Sequence, residues 1–176
     1  SSQTEKSYPN RGTFTQLTIR GVYGEEVHVP GSTAPSPFKY AKLHEWVQAK
    51  FIYDNYYKTR GKFKLGFSTE LYFSSQDLFN NYSASIAKAS AFKPTIESRY
   101  LFLETFRANK YATLGHKILY DLSPNLELRF EGYVFQPYQR LLRQDDNSVI
   151  YSDVLDKRYI STSAGLVLRT PVGPIS

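Results

Sequence analysis

The sequence predicts an all-β fold: an antiparallel, membrane-crossing β-barrel, of which this chain holds a part. Three observations predict it. Apolar and polar residues alternate with period two through most of the chain, as at Phe63, Leu65, Phe67, Leu71 and Phe73 against Lys62, Lys64, Ser68 and Glu70. Most alternating stretches run to about ten residues or more, longer than the five or six usual in soluble sheets and suited to a tilted spanning strand. Their connections divide into short turns and long polar loops, which in such barrels lie at opposite ends.

Taken in order, Gly12 to Tyr23 alternates around Leu17 and Ile19, and Glu45 to Asn55 around Val47, Phe51 and Tyr53. Gly61 to Ser74 is the clearest strand. Tyr82 to Lys88 is a weaker one, reached through a short turn at Gln76 to Asn80. Ala112, Leu114, Ile118 and Tyr120 then alternate up to Ser123-Pro124-Asn125, whose residues favour a turn, and Leu126, Leu128, Phe130 and Val134 follow; the two form a tight hairpin. Arg158 to Thr170 carries Ile160, Ala164, Leu166 and Leu168, and Pro171 to Gly173 is a further turn before Ile175 restarts an apolar pattern. Seven strands and the start of an eighth are expected, and the family resemblance given below implies a complete barrel of about sixteen. Long loops are expected at Phe92 to Phe106 and Gln139 to Lys157. Two connections resist the rule, since Gly24 to Leu43 is long and Tyr57 to Gly61 is short.

Both ends read as cuts. Residues 1 to 11 are polar, with no initiator Met and no apolar leader, and Ile175 begins a strand that does not continue. The expectation is one domain spanning 1–176, part of an outer-membrane β-barrel truncated at both ends, and the resemblance given below implies that it is the C-terminal portion.

Composition narrows the function classes. With 41% hydrophobic residues and no apolar run of about 18, the chain is not a helical membrane protein. A barrel stays open, because only alternate residues of each strand face lipid. The 15 Tyr and 12 Phe favour strands. There is no Cys, so thiol catalysis and cysteine metal sites are excluded. The net charge of +6 is scattered among acidic residues without a Lys/Arg run, which argues against nucleic acid as a partner. His28, His44 and His116 show no ligand spacing, and neither a GxSxG elbow nor a Gly-rich phosphate loop occurs. No catalytic residue, metal or cofactor is expected in this chain. Asn81-Tyr82-Ser83 fits a glycosylation pattern but starts an expected spanning strand, where chance is the simpler reading.

The alternation admits two environments. A soluble sheet with one wet face would place Lys62, Lys64, Glu70, Glu127, Arg129 and Glu131 in water. In a barrel the same residues line a polar interior, and a one-residue slip would set Lys or Arg against hydrocarbon at roughly 2–4 kcal/mol each. Tyr53, Tyr56, Tyr57, Tyr120, Tyr133 and Tyr138, near strand ends, would form interfacial girdles. One constellation stands out. Arg107, closing the loop before the Ala112 strand, is expected to fold inward and pair with Glu127 or Glu131.

The ending Arg169-Thr170-Pro171-Val172-Gly173-Pro174 resembles a motif of the bacterial surface antigen type of barrel, the superfamily of outer-membrane insertases and two-partner-secretion transporters. There it joins the third-last strand to the second-last, so the resemblance marks Arg169, Thr170, Pro171, Gly173 and Pro174 as a barrel turn. In that superfamily an inward loop carries an arginine in a Val-Arg-Gly-aromatic motif. Phe106-Arg107-Ala108-Asn109-Lys110-Tyr111 resembles it, with Ala108 for the glycine and the aromatic displaced to Tyr111. More of the chain is similar to the C-terminal barrel of patatin-like phospholipases from Bacteroidetes-type bacteria, through His44-Glu45-Trp46, Asn80-Asn81-Tyr82, Ala91-Phe92-Lys93-Pro94-Thr95, Phe106-Arg107-Ala108-Asn109 and Glu131-Gly132-Tyr133-Val134-Phe135-Gln136-Pro137-Tyr138. The resemblance implies a bacterial outer-membrane location and a serine-aspartate lipid hydrolase domain ahead of the barrel. It implies outer-membrane lipid, the remaining strands and that N-terminal domain as partners, and leaves a second copy or another outer-membrane protein open. A non-enzymatic insertase or transporter barrel is the alternative, and a soluble all-β binding module the third reading.

Overall fold

A computed structural model describes residues 8–29, 31, 39–170 and 173–175 of the chain. In order the elements are β1 (Thr13–His28), β2 (Tyr40–Arg60), β3 (Phe63–Ser74), α1 (Tyr82–Lys88), β4 (Ser90–Ala91), β5 (Arg107–Ala108), β6 (Lys110–Ser123), β7 (Leu126–Pro137), β8 (Leu141–Arg143), β9 (Val149–Tyr151), β10 (Tyr159–Thr170) and β11 (Gly173–Ile175). One antiparallel sheet of seven strands, in the order β1-β2-β3-β6-β7-β10-β11, curls into a half-barrel. Two short hairpins, β4–β5 and β8–β9, lie within the long connections. No helix among the described residues is long and apolar enough to cross a membrane.

The expected strand at Tyr82 to Lys88 is instead the helix α1. Its start is set by Asn81, whose side-chain oxygen accepts from the Ala84 backbone N–H at 2.8 Å. Ser85, Ile86 and Ala89 are buried and Tyr82 packs beside Ile86 and Ala89, which is helical rather than alternating spacing. The expected turn at Gln76 to Asn80 therefore belongs to one long connection from β3 to β6.

That change restores the connectivity. β2 reaches β3 through residues 61–62, β6 reaches β7 through 124–125, and β10 reaches β11 through 171–172, all at one end. The connections over 29–39, 75–109 and 138–158 are all at the other. The two connections that broke the rule in the sequence obey it here, because with residues 82–88 no longer counted as a strand, long and short connections alternate from β1 onward. Gly61 sits at φ +59°, the left-handed conformation a two-residue hairpin needs. The last turn, at Pro171 and Val172, lies outside the described residues; its flanks are paired, Thr170 with Gly173 and Arg169 with Pro174.

β1 and β2 project beyond their neighbours, since Gln48 of β2 already faces Ser74 at the end of β3. The projecting hairpin holds the start of the long connection. Glu26 accepts from His44 Nε2 and from the Asn80 backbone N–H, both at 2.8 Å, and Phe79 packs on His44 and Trp46.

Candidate functional site

Side chains on the two faces of the sheet have their environments inverted relative to a soluble protein. On the convex face Leu17, Leu71, Leu114, Phe130 and Leu166 are 46–66% exposed. On the concave face Lys64, Lys117, Glu127 and Arg129 are only 1–7% exposed. Direct cross-strand pairing keeps the faces separate: Phe130 meets Ile118 and Ala164, whereas Glu131 meets Lys117 and Ser163. From Gln48 onward in β2, and through β3, β6, β7 and β10, the charged residues that register places on the convex face stand only at strand ends among the described side chains, Arg60 closing β2 and Lys110 opening β6.

The buried charges form a network. Lys64 bonds Asp121 at 2.6 Å and Glu127 at 3.2 Å. Arg129 bonds Glu127 at 3.0 Å and Glu131 at 2.8 Å, and Arg169 reaches Glu127 at 3.3 Å. Lys117 pairs with Asp54 at 2.9 Å and Lys50 with Glu70 at 2.6 Å. Five carboxylates thus meet five cations, so the paired set, of which Lys50 and Asp121 are half-buried, carries no net formal charge. Tyrosines satisfy remaining valences: Tyr56 Oη accepts from Arg129 at 3.1 Å and Tyr133 Oη donates to Glu131 at 2.7 Å. Asn10 donates to Glu127 at 3.2 Å and the Pro9 carbonyl accepts from Arg129 at 3.0 Å, which ties the chain ahead of β1 to β7.

Two of those tyrosines lie against glycines directly across the sheet, Tyr56 on Gly66 and Tyr133 on Gly115. A Cβ at Gly115 would come within 2.5 Å of the Tyr133 ring and 2.3 Å of Ser68 Oγ. Glycine is needed there for close approach, not for an unusual φ.

The long connection 75–109 folds against the concave face. Phe92 and Ala108 are buried among Tyr72, Tyr111, Tyr133 and Phe135, with Phe106 and Tyr159 alongside. Phe92 stacks on Phe135 at 5.9 Å. Between this layer and the ion network lies a cavity of about 800 Å3, bordered by Lys93, Pro94, Ile96 and Arg99 from the connection and by Glu70, Lys117 and Arg129 from the sheet.

Arg107 does not join Glu127 or Glu131. Its Nη1 donates to the carbonyls of Ile86, Ala87 and Ala89 at 3.2, 3.1 and 3.0 Å, closing the C-terminal end of α1, and the guanidinium lies 4.1 Å over the Phe102 ring. Burial draws its pKa down from the usual guanidinium value, opposed by Glu104. The reason for the correction is distance along the strand. Tyr111 faces Pro137, and Glu127 lies ten residues further down β7, about 33 Å at ~3.3 Å per residue. No arginine at the long-connection end reaches that far. Arg129 takes the role instead, and the sequence carried the signal: Glu127, Arg129 and Glu131 are spaced by two and therefore share one face of a strand. Of the expected turn residues, Arg169 joins the network and also donates from its backbone to the Asn125 carbonyl at 2.7 Å, joining adjacent turns.

Outside the strands, Tyr82 Oη donates to Glu104 at 2.8 Å. Its pKa is pushed up to about 12, first by burial and then by that bond, since ionisation would set phenolate against carboxylate. No group of three or more metal-ligating side chains occurs among the described residues. The arrangement's chemistry is cohesion: a buried aromatic layer that seats the long connection and a lattice of paired charges that links neighbouring strands. Comparison with protein-family models, with curated proteins and with solved structures finds no match to this chain.

Proposed function

We propose that this chain is part of a transmembrane β-barrel of the bacterial outer membrane, of bacterial surface antigen type, and that it anchors a patatin-like lipid hydrolase or forms its translocation pore. The observation that carries the membrane reading is the inverted burial: apolar side chains outward, paired charges inward. A water-soluble sheet of this composition would bury Leu114 and Phe130 and leave Lys64 and Glu127 wet. A spanning barrel demands the reverse, because lipid solvates the outside and the interior is polar. The strand lengths of β3, β6, β7 and β10, from 12 to 14 residues, exceed the 9–11 that a tilted spanning strand requires. Short turns at one end and long connections at the other fit periplasmic and extracellular sides.

The hydrolase part rests on the sequence resemblance. Its test is the full-length protein, purified from membranes and assayed for phospholipid hydrolysis. Recovery in a detergent-free soluble fraction would overturn the barrel. Membrane insertion without hydrolysis would favour the insertase or transporter alternative, in which the half-barrel serves without an enzyme.

A further inference from the structure

The cavity of about 800 Å3 between the 75–109 connection and the sheet carries different charge on its two sides. Its volume lies in the range of small-molecule sites, about 300–1,000 Å3. Every described carboxylate that borders it belongs to the sheet and is paired, Asp54 with Lys117, Glu131 with Arg129 and Glu70 with Lys50. The sheet side is therefore close to neutral. Lys93 and Arg99 border the cavity from the connection, and neither pairs with a carboxylate of any described residue.

The turn between these two cations is braced. The Thr95 N–H donates to Ser98 Oγ at 3.1 Å, Ser98 Oγ donates to the Thr95 carbonyl at 2.7 Å, and Lys93 Nζ donates to the Arg99 carbonyl at 3.1 Å. Lys93 and Arg99 are both exposed, so solutes reach them. From the sheet, the half-buried Ser68 and Ser163 border the same cavity, and their hydroxyls bond no described residue. A solute in the cavity thus meets free cations and free hydroxyls, and no unpaired carboxylate among the described residues. That set selects negative charge, because a cation would face Lys93 and Arg99 with no free carboxylate to offset the repulsion. Phe14, Ile52 and Ile96, half-buried on the same cavity, add apolar wall.

We propose that this cavity binds a small organic anion, its charged group against Lys93 and Arg99 and its apolar body against Phe14, Ile52 and Ile96. The inference goes beyond the barrel reading and does not depend on what covers the convex face. Every group it uses stands on the concave face or on the connection.

The test is equilibrium dialysis of the full-length protein, in detergent or in plain buffer, with the same solution free of protein as the blank. The probe is naphthalene-2-sulfonate, compared with neutral 2-naphthylmethanol, cationic 2-naphthylmethylammonium and inorganic sulfate. The sulfonate is expected to bind about tenfold more tightly than each of the other three. Its binding should weaken as salt rises from about 0.05 to 0.5 M, whereas that of the alcohol should not. The double variant Lys93→Gln/Arg99→Gln should lose about threefold per charge, or about tenfold in all. Lys42→Gln, an exposed cation outside the cavity, should bind as the wild type does. Equal binding of the ammonium or the alcohol would overturn the proposal, as would unweakened binding by the double variant. Equal binding of sulfate would overturn the apolar part of the ligand. No binding of the sulfonate by the wild-type protein, a measurement that needs no variant to fold, would leave the cavity as water and overturn the proposal outright.

Discussion

Glu127 is 1% exposed and meets three cations, Lys64, Arg129 and Arg169. The arrangement is stable only as a set, because removing one partner leaves buried charge uncompensated. Arg129→Met, which strands Glu127 and Glu131 together, is expected to cost about 3–5 kcal/mol in denaturant unfolding from lipid vesicles. Arg107→Met removes hydrogen bonds to helix carbonyls and is expected to cost about 1.5–3 kcal/mol, with the strands unaffected. Equal losses in the two variants would contradict the assignment of the lock to Arg129. Gly115→Val drives a side chain into the Tyr133 ring and Ser68, an overpacking expected to cost about 1–3 kcal/mol in the same assay. An unchanged midpoint would show that Tyr133 can leave the glycine.

At the scale of elements, α1 and the connection around it are held by three devices: the Asn81 cap, the Arg107 bonds to the last carbonyls, and the Tyr82–Glu104 hydrogen bond. The last depends on pH. Because the Tyr82 pKa is raised in the folded chain, folding favours the protonated phenol; the contribution is complete below the ordinary tyrosine value of about 10 and is lost as pH rises towards about 12. A difference absorbance titration of the wild-type chain against Tyr82→Phe should therefore show one tyrosine ionising near 12. Ionisation near 10 would mean the Glu104 contact does not persist. The helix itself was hidden in the sequence by its length. Seven residues hold fewer than two turns of periodicity, and Ile86 with Tyr82 reads equally as alternate strand positions. Asn81 is of a residue type that caps helices, but Asn serves turns equally well, so that type alone does not mark a helix start.

For the whole molecule, the inverted faces give the sharpest discrimination between environments. Phe130 stands near the middle of β7, 48% exposed on the convex face between Ile118 and Ala164. Phe130→Arg is expected to reduce folding stability in bilayers by roughly 2–4 kcal/mol, measured by reversible unfolding from vesicles. On the wet face of a soluble sheet the same change would be nearly neutral, so a loss under about 0.5 kcal/mol would argue against a lipid-facing wall. The described sheet also ends in two strands, β1 and β11, each paired on one side only, an arrangement that pairing with further strands would satisfy.

The sequence by itself determined which residues share a face. Strand side chains alternate with period two whatever the partner strands do, so the Phe63–Phe73 row, the Glu127-Arg129-Glu131 row and the β6–β7 hairpin were readable from local spacing. Tertiary structure alone decided which charges meet, since Lys64, Asp121, Glu127 and Arg169 come from four strands or their ends and their contact depends on cross-strand register. It also decided that residues 82–88 cap a connection as a helix, and so that every short turn lies at one end. Register and reach along the strand axis are distances in space, and neither is encoded in the spacing of any single segment.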